Sequence, residues 1–307
     1  MADALLRELQ QAFPELEVRR EEPLKNYTSF AIGGPAELLL LPSSAEELAS
    51  LCALLRTLGV KPLLLGNGSN VLAPDEGLRG AVIVTRRASD MERRGESIVA
   101  DCGASLTRIS AFAAEEGLTG LEFAYGIPGT LGGALIMNAG AYGGEMKDIV
   151  SSVTVMDKEG RVSQYTCGDM AFGYRDSALA HDELYALEIT LALQEGDPEE
   201  IAAEMNRLAE RRSSKQPLEY PSAGSTFKRP AGYYAGALIE EAGLRGYRLG
   251  GAMVSDKHCG FVINTGDATA TDIIDLMHAV QDRVLELYGV LLEPEVRLIG
   301  PDYGKKD

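Results

Sequence analysis

The sequence predicts an α+β fold in two domains, and three observations carry that prediction. Strand-like and helix-like segments do not alternate one for one, as a doubly wound parallel sheet would require. Val150 to Met156 and Val162 to Thr166 flank Asp157-Lys158-Glu159-Gly160, the pattern of a hairpin and hence of antiparallel pairing. The 307 residues, 45% of them apolar, are too many for one compact core and enough for two.

Met1 to Gln11 is mildly amphipathic and begins a helical extension over residues 1–29. Ser44 and Glu47 have capping-box spacing and open a helix to Leu58; Leu48, Leu51, Cys52, Leu55 and Leu58 share its face, and Gly59 stops it. Short apolar strands are expected at Pro62 to Leu65, Ala81 to Thr85 and Ser97 to Asp101, and a second helix at Ser105 to Glu116, before Gly117. After the hairpin, Leu184 to Leu193 reads as a longer strand. Asp197-Pro198-Glu199-Glu200 starts a helix that runs to about Arg212, whose cationic end suits the helix dipole. Gly260 to Asn264 and Val290 to Ile299 read as extended, and Thr271 to Tyr288 as the last long helix, stopped by Gly289. Glycine-rich loops lie mostly before Gly196 and a charged helix follows it, which places a boundary there and gives domains of residues 30–196 and 197–307.

A net charge of −17 leaves no basic face for nucleic acid. Anionic ligands would have to be held by local Lys, Arg and backbone N–H groups against that overall field. No apolar run approaches the roughly 18 residues of a membrane-spanning helix. Met1 to Gln11, with Asp3 and Glu8, does not have the basic start of a secretory signal. The expectation is a cytoplasmic protein without nucleic-acid, membrane or obligate protein partners. Cys52, Cys102, Cys167 and Cys259 are too widely spaced for a CxxC or zinc motif and are expected as reduced, mostly buried thiols. With only His181, His258 and His278, no metal site is expected.

Five segments can carry chemistry. Leu65-Gly-Asn-Gly-Ser-Asn-Val71 follows a strand directly; its glycines let consecutive N–H groups converge on an anion, and Ser69 and Asn70 add side-chain donors. It has neither a third dinucleotide-fingerprint glycine nor a following Gly-Lys-Ser/Thr, and an ordinary strand-to-strand turn explains it equally. Gly126 to Gly144 holds seven glycines in nineteen residues together with Ile, Leu and Met. That mixture suits backbone packed closely on a flat ligand, with a tight core crossing as the structural alternative. Ala171-Phe-Gly-Tyr-Arg-Asp-Ser177 places Arg175 before the long strand. Arg211 to Pro230 gathers Arg211, Arg212, Lys215, Lys228 and Arg229 in an acidic chain, a pattern suited to a dianionic ligand, although Arg211 and Arg212 equally complement the preceding helix end. Glu293 and Glu295, in Leu292 to Arg297, point to one side of an extended segment, as an exposed pair also would.

In this order, Gly-Asn-Gly-Ser-Asn-Val-Leu72, Gly126 to Glu145, Phe-Gly-Tyr-Arg-Asp-Ser177, Pro221 to Pro230 and Glu-Pro-Glu-Val-Arg297 resemble the UDP-N-acetylenolpyruvoylglucosamine reductases, from about Asn26 to Arg297. The resemblance implies a two-subdomain FAD-binding fold of the vanillyl-alcohol-oxidase (PCMH) kind over residues 30–196, then a smaller α+β substrate-binding domain. It implies that Gly66, Asn67, Gly68, Ser69 and Asn70 cradle the FAD pyrophosphate, that Ile127, Pro128, Gly129, Thr130, Gly132 and Gly133 line the flavin, and that Asn138 and Gly140 complete the wall. The flavin would be non-covalent, since neither glycine-rich motif contains histidine. The short connection after Leu184 is similar to that of the type II branch, and Arg229 stands where the other branch has Asn.

The reaction so implied is hydride transfer from NADPH to FAD and then to the enolpyruvyl ether of a UDP-sugar, giving UDP-N-acetylmuramate for peptidoglycan. By the same resemblance Arg175 holds the substrate carboxylate, Glu295 shares that task, Ser225 supplies the proton, and Lys215, Lys228 and Arg229 bind substrate. Two other functions compete: a sugar or alcohol oxidase of the same FAD superfamily, and a non-catalytic nucleotide-sugar binding protein.

Overall fold

In a computed structural model of the chain, residues 2–300 are described. They form two compact units. Within the described residues the first comprises residues 2–20, 38–67 and 80–212, and the second residues 21–37, 68–79 and 213–300. There are seven α-helices among the described residues: α1 (Ala2–Ala12), α2 (Ala45–Thr57), α3 (Leu106–Glu115), α4 (Leu131–Ile136), α5 (Pro198–Lys215), α6 (Ala235–Glu241) and α7 (Ala270–Tyr288).

The first unit is built on a five-stranded antiparallel sheet in the order Val162–Thr166, Val150–Met156, Tyr185–Ala192, Ser97–Asp101, Met91–Arg94. The expected hairpin is its edge, with Val153 opposite Tyr165. The long strand pairs with Ser97–Asp101, placing Ile189 opposite Ala100. A second sheet takes the order Glu17–Pro23, Pro35–Leu41, Leu78–Val84, Leu63–Leu65, the last two strands running parallel. The core between and beside these elements joins Leu38, Leu48, Leu51, Leu55, Ile98, Ile109, Val153 and Ile189, each fully buried. Cys52 and Cys102 are in the same core, and burial pushes both thiols up to about 12, so they stay protonated and unreactive.

Helix boundaries follow local chemistry. Ser44 caps α2 by accepting from the Glu47 N–H, but the Glu47 carboxylate binds the Ser43 N–H and hydroxyl, one residue upstream of a reciprocal capping box. Asp197 accepts from the Glu199 and Glu200 N–H groups at the start of α5, which runs three residues beyond Arg212. Thr269 and Asp272 form a capping box on α7, and Gly289 ends it at φ +67°.

The second unit packs α6 and α7 on a three-stranded antiparallel sheet, Arg248–Leu249, Ala252–Val254 and Val262–Asn264. Its core includes Phe30, Leu72, Phe227, Leu238, Ile239, Ile273, Leu276 and Val280. The extended segment expected from Val290 to Ile299 is a strand only at Arg297–Leu298, which pairs in parallel with Val71–Leu72. Pro294 has no N–H for a ladder, so the residues before it meet their neighbours by isolated bonds instead.

Candidate active site

In the first unit, the glycine-rich segment is fixed by backbone bonds to the turn after the strand Ser97–Asp101. Leu131 N–H donates to Ala104 O at 2.8 Å, Gly132 N–H to Cys102 O at 2.7 Å, and Leu106 N–H to Gly129 O at 3.0 Å. Thr130, 2% exposed, caps α4 by accepting from the Gly133 N–H. Gly66 lies against Thr130: a Cβ at residue 66 would stand 2.2 Å from Thr130 Oγ1. Asn67 Nδ2 donates to Pro128 O at 2.9 Å. Gly66 and Asn67 are thereby joined to the stretch Ile127 to Gly133, two motifs that are sixty residues apart in sequence. Gly66 to Asn70 does connect two strands, Leu63–Leu65 and Val71–Leu72, and no helix opens after it.

Asn138, 2% exposed and at φ +39°, is a hub of the same unit. Its Nδ2 donates to Glu145 Oε2 at 2.6 Å and to Gly173 O at 3.0 Å, and its Oδ1 accepts from the Lys147 N–H at 3.0 Å. The Gly173 bond reaches the turn that presents Arg175. That turn is closed by Gly173 N–H to Asp176 O at 3.0 Å and holds Arg175 in the left-handed region at φ +57°. A non-glycine residue is rarely kept there unless its surroundings fix it, and such residues gather at functional sites. Gly140 sits where a Cβ would be 2.8 Å from Glu145 Cβ, in the short pairing of Gly140–Ala141 with Gly144–Glu145.

Helix α5 ends this unit. Its Arg212 is 9% exposed; the guanidinium is 5.5 Å from the Tyr142 ring centroid, and its Nε would be 3.4 Å from a Cβ at Gly126. Among the described residues, Nε and Nη2 of Arg212 have no hydrogen-bond partner. A buried cation of this kind fits a site that receives an anionic group beside the Gly126 to Gly144 wall. Sequence reasoning named Arg212 only as part of a basic loop, because nothing local distinguishes it from the exposed Arg211 before it.

In the second unit, the segments holding Ser225 and Glu295 lie side by side. Thr226 O accepts from the Glu295 N–H at 2.8 Å, Lys228 N–H donates to Glu293 O at 2.8 Å, and Phe227 faces Pro294 as an antiparallel bridge. Thr226 N–H donates to Gly260 O, and Thr226 Oγ1 accepts from the Val262 N–H, tying Ser225 to the sheet. Asn70 belongs to this unit: its Nδ2 donates to Glu295 O at 3.1 Å and its carbonyl accepts from the Arg297 N–H at 3.0 Å. Gly68, at φ +59°, leaves no room for a side chain, since a Cβ there would be 2.2 Å from Tyr27 O. Ser69 lies between these two anchored residues.

Lys228, Arg229, Tyr233, Val290, Leu291 and Glu293 line a cavity of about 420 Å³ in this unit. Lys228 pairs with Glu293, and Arg229 stacks 4.0 Å over the Tyr234 ring while its Nε donates to Tyr233 O. Lys215, at the end of α5, is exposed. A second depression, of about 270 Å³ between Cys52, Arg56, Lys61 and Tyr185, contains none of the sequence-identified residues. Among the described residues no cluster of His, Cys, Asp or Glu could hold a metal ion, and no helix is long and apolar enough to cross a membrane.

Two family models match the chain. Residues 36–166 match an FAD binding domain, and residues 216–299 match the C-terminal domain of UDP-N-acetylenolpyruvoylglucosamine reductase. A UDP-N-acetylenolpyruvoylglucosamine reductase of Caldanaerobacter subterraneus is 48% identical, with 98% of this chain and 99% of the relative covered. One of Clostridioides difficile is 49% identical over 93% of this chain and 94% of its own length. The crystal structure of the corresponding reductase from Thermus caldophilus superposes with a TM-score of 0.79 at 36% identity, covering 93% of this chain and 99% of that one. The first match contains Gly66 to Asn70 and Gly126 to Gly144, the second contains Ser225 and Glu295, and the full-length relatives span both, so the chain belongs to the UDP-N-acetylenolpyruvoylglucosamine reductase family.

Proposed function

We propose that this chain is an FAD-dependent reductase. It converts the enolpyruvyl ether of UDP-N-acetylglucosamine into the lactyl ether of UDP-N-acetylmuramate, a peptidoglycan precursor, with NADPH as hydride donor. One observation carries this reading: nearly the whole chain matches, at close to half identity, relatives bearing that reductase name. The alternatives weighed from sequence, an alcohol oxidase and a non-catalytic binder, have no comparable support.

The residues fit FAD in two respects. Gly66 and Thr130 are packed too closely for any side chain at residue 66, which leaves the adjoining N–H groups free of Cβ bulk, and Arg212 offers buried donors to an anionic cofactor. FAD, when bound, relays the hydride from NADPH to the terminal carbon of the substrate double bond.

The chain's own residues do the rest. Arg175 binds the substrate carboxylate with paired planar donors and stabilises the second negative charge that develops there as hydride adds. Glu295, acting as a neutral acid, donates to the same carboxylate. Ser225 gives its hydroxyl proton to the carbon beside the carboxylate, the atom left electron-rich by hydride addition. The cavity beside Lys228 and Arg229, with Lys215, takes the negative charge of the UDP-sugar; its apolar lining at Val290 and Leu291 suits the uncharged parts of that ligand. Within the first unit, Asn138 orients the Arg175 turn through Gly173 O, in addition to any part its backbone takes in the flavin wall.

Steady-state turnover tests the proposal. Beyond the one equivalent that reduces its flavin, purified protein should consume NADPH only when the enolpyruvyl UDP-sugar is present, with one UDP-N-acetylmuramate formed per NADPH. NADPH consumption that yields hydrogen peroxide instead of the lactyl ether would reject it.

A further inference from the structure

One depression of the first unit contains no residue assigned a role in the reaction above. It measures about 270 Å³ and lies where the end of α2, the segment Gly59 to Pro62, the hairpin turn Asp157 to Gly160 and the start of the strand Tyr185–Ala192 meet. Its apolar lining includes Cys52, Val60, Pro62, Met156 and the Tyr185 ring. Met156 and Tyr185 are register partners in the five-stranded sheet, so strand pairing fixes that wall. Burial keeps the Cys52 thiol protonated, and it acts as apolar surface.

The charged lining is Arg56, Lys61 and Lys158 against Asp157 and Glu183, an excess of one positive charge in a chain of net charge −17. Both carboxylates are already committed. Asp157 accepts from the N–H groups of Glu159 and Arg161, each at 2.9 Å, and from Arg161 Nε at 2.7 Å. Glu183 pairs with Lys61. Arg56 and Lys158 are exposed and enter no hydrogen bond or ion pair among the described residues. Arg56 is not needed to close its own helix. Gly59 N–H donates to Arg56 O and Val60 N–H to Leu55 O, the backbone bonds that end α2 at a left-handed glycine. The guanidinium lies over the hairpin turn instead, where a Cβ at Gly160 would be 3.2 Å from its Nη2.

We propose that this depression is a second small-molecule site, outside the reductase centre, that takes an aromatic monocarboxylate: its ring lies against Pro62, Met156 and Tyr185, and its carboxylate meets Arg56 and Lys158. The inference is independent of the flavin reading. Size, shape and charge each narrow the ligand. A dry apolar cavity of roughly 150 Å³ accepts benzene, so this larger one admits a fused ring pair with its carboxylate. A guanidinium pairs with a carboxylate through two parallel N–H donors, and a methionine sulfur packs well on an aromatic ring. One negative charge balances the excess of the lining. A dianion would exceed it and be repelled by Asp157 and Glu183, and a neutral ring would leave Arg56 and Lys158 without acceptors.

The test is calorimetric titration of the purified full-length protein with 2-naphthoate and with its neutral isostere 2-naphthamide. The proteins compared are the wild type, Arg56→Gln, the double variant Arg56→Gln/Lys158→Gln, and Lys228→Gln. The wild type should bind 2-naphthoate with a Kd of about 1 mM or tighter, the range open to a ligand of this size. It should bind 2-naphthamide at least about tenfold more weakly, because the amide brings no charge. Arg56→Gln should weaken 2-naphthoate by about threefold to fivefold, the scale of one exposed ion pair, and the double variant by about tenfold or more. Neither should alter NADPH oxidation by the enolpyruvyl UDP-sugar. Lys228→Gln, in the cavity of the second unit, should leave 2-naphthoate affinity unchanged.

No saturable binding at about 10 mM would overturn the proposal. So would equal affinity for acid and amide, which marks apolar partition alone. Affinity kept in the double variant, or lost in Lys228→Gln, would place the ligand elsewhere and overturn it too. If the double variant fails to fold, Arg56→Gln and the comparison of acid with amide still decide. A protein that binds 2-naphthoate through Arg56 but leaves the enolpyruvyl sugar unreduced defeats the reductase reading and not this site.

Discussion

Arg175 occupies a left-handed backbone position that a non-glycine residue enters at some cost, and the turn holding it is tied to Asn138 through Gly173. Such a position persists where the surrounding structure fixes it. Replacing a preorganised donor of this kind costs about 3–4 kcal/mol at the transition state. Arg175→Lys is therefore expected to lower kcat by roughly 100- to 1,000-fold while the flavin spectrum and FAD affinity stay near wild type; loss of the cofactor would assign Arg175 a structural role. Ser225 follows Gly224, at φ +75°, on a segment held by Thr226 to Gly260 and Val262. Ser225→Ala removes the proton donor and leaves the scaffold, so reduction of the flavin by NADPH should proceed normally. Its reoxidation by substrate should slow by about 100- to 10,000-fold in stopped-flow traces. Equal slowing of both half-reactions would contradict a dedicated acid. The motifs single out Arg175, Ser225 and Glu295 as candidates; Arg212 was not singled out, because its burial and its partnerless Nε and Nη2 are features that no local pattern encodes.

At the level of elements, the second unit depends on contacts distant in sequence. The Asp75 carboxylate accepts from the Ala270 N–H at 2.9 Å and reaches the Thr271 N–H at 3.4 Å, a cap on α7 supplied from almost two hundred residues away. Asp75→Ala should destabilise the unit by about 1 kcal/mol in urea unfolding; no change would mean that Thr269 and Asp272 suffice as the cap. His258 accepts from the Gly260 N–H at Nδ1, 3.1 Å away, and its ring meets Phe261 edge-on. Burial, aided by the positive charges of Arg245 and Lys215, lowers its pKa below the ordinary histidine value, although Glu240 opposes this. A lowered folded-state pKa means that the unfolded chain binds the proton first on acidification. The stability His258 contributes is therefore present above the unfolded pKa, about 6.5, and is lost as pH falls through the folded value. His258→Asn retains an acceptor and removes the charge, so its stability should fall less than wild type over that window; parallel curves would exclude His258 as a source of acid sensitivity.

The same scale shows what the residues could reveal of the fold. Helices α2, α3, α5 and α7 were readable because each combines a cap or Pro start with a periodic apolar face or a glycine stop. The strand Glu17–Pro23 was not, since five of its seven residues are charged, nor was Pro35–Leu41, whose continuous apolar run has no strand period. Helices α4 and α6 are six and seven residues long, too short to build a recognisable face, and both carry glycine. The Val290 to Ile299 expectation failed at Pro294, where sequence hydrophobicity outweighed the missing donor.

For the whole molecule, the acidic surface and the anionic ligands pull against each other. With a net charge of −17, NADPH and the UDP-sugar approach through an unfavourable long-range field and meet basic groups only at close range. Salt screens the long-range part over about 10 Å at 0.1 M. Raising ionic strength from low values should thus increase kcat/KM for NADPH, whereas a steep fall would mean that local basic residues dominate the encounter. The central claim is that one flavin site serves both a nicotinamide donor and an enolpyruvyl acceptor. Its most direct test is an anaerobic single turnover followed at the flavin absorbance band. NADPH should bleach the bound flavin, and the enolpyruvyl UDP-sugar should then restore the colour with one equivalent of UDP-N-acetylmuramate. A flavin bleached by NADPH that only oxygen can recolour, with the sugar recovered unchanged, would contradict it.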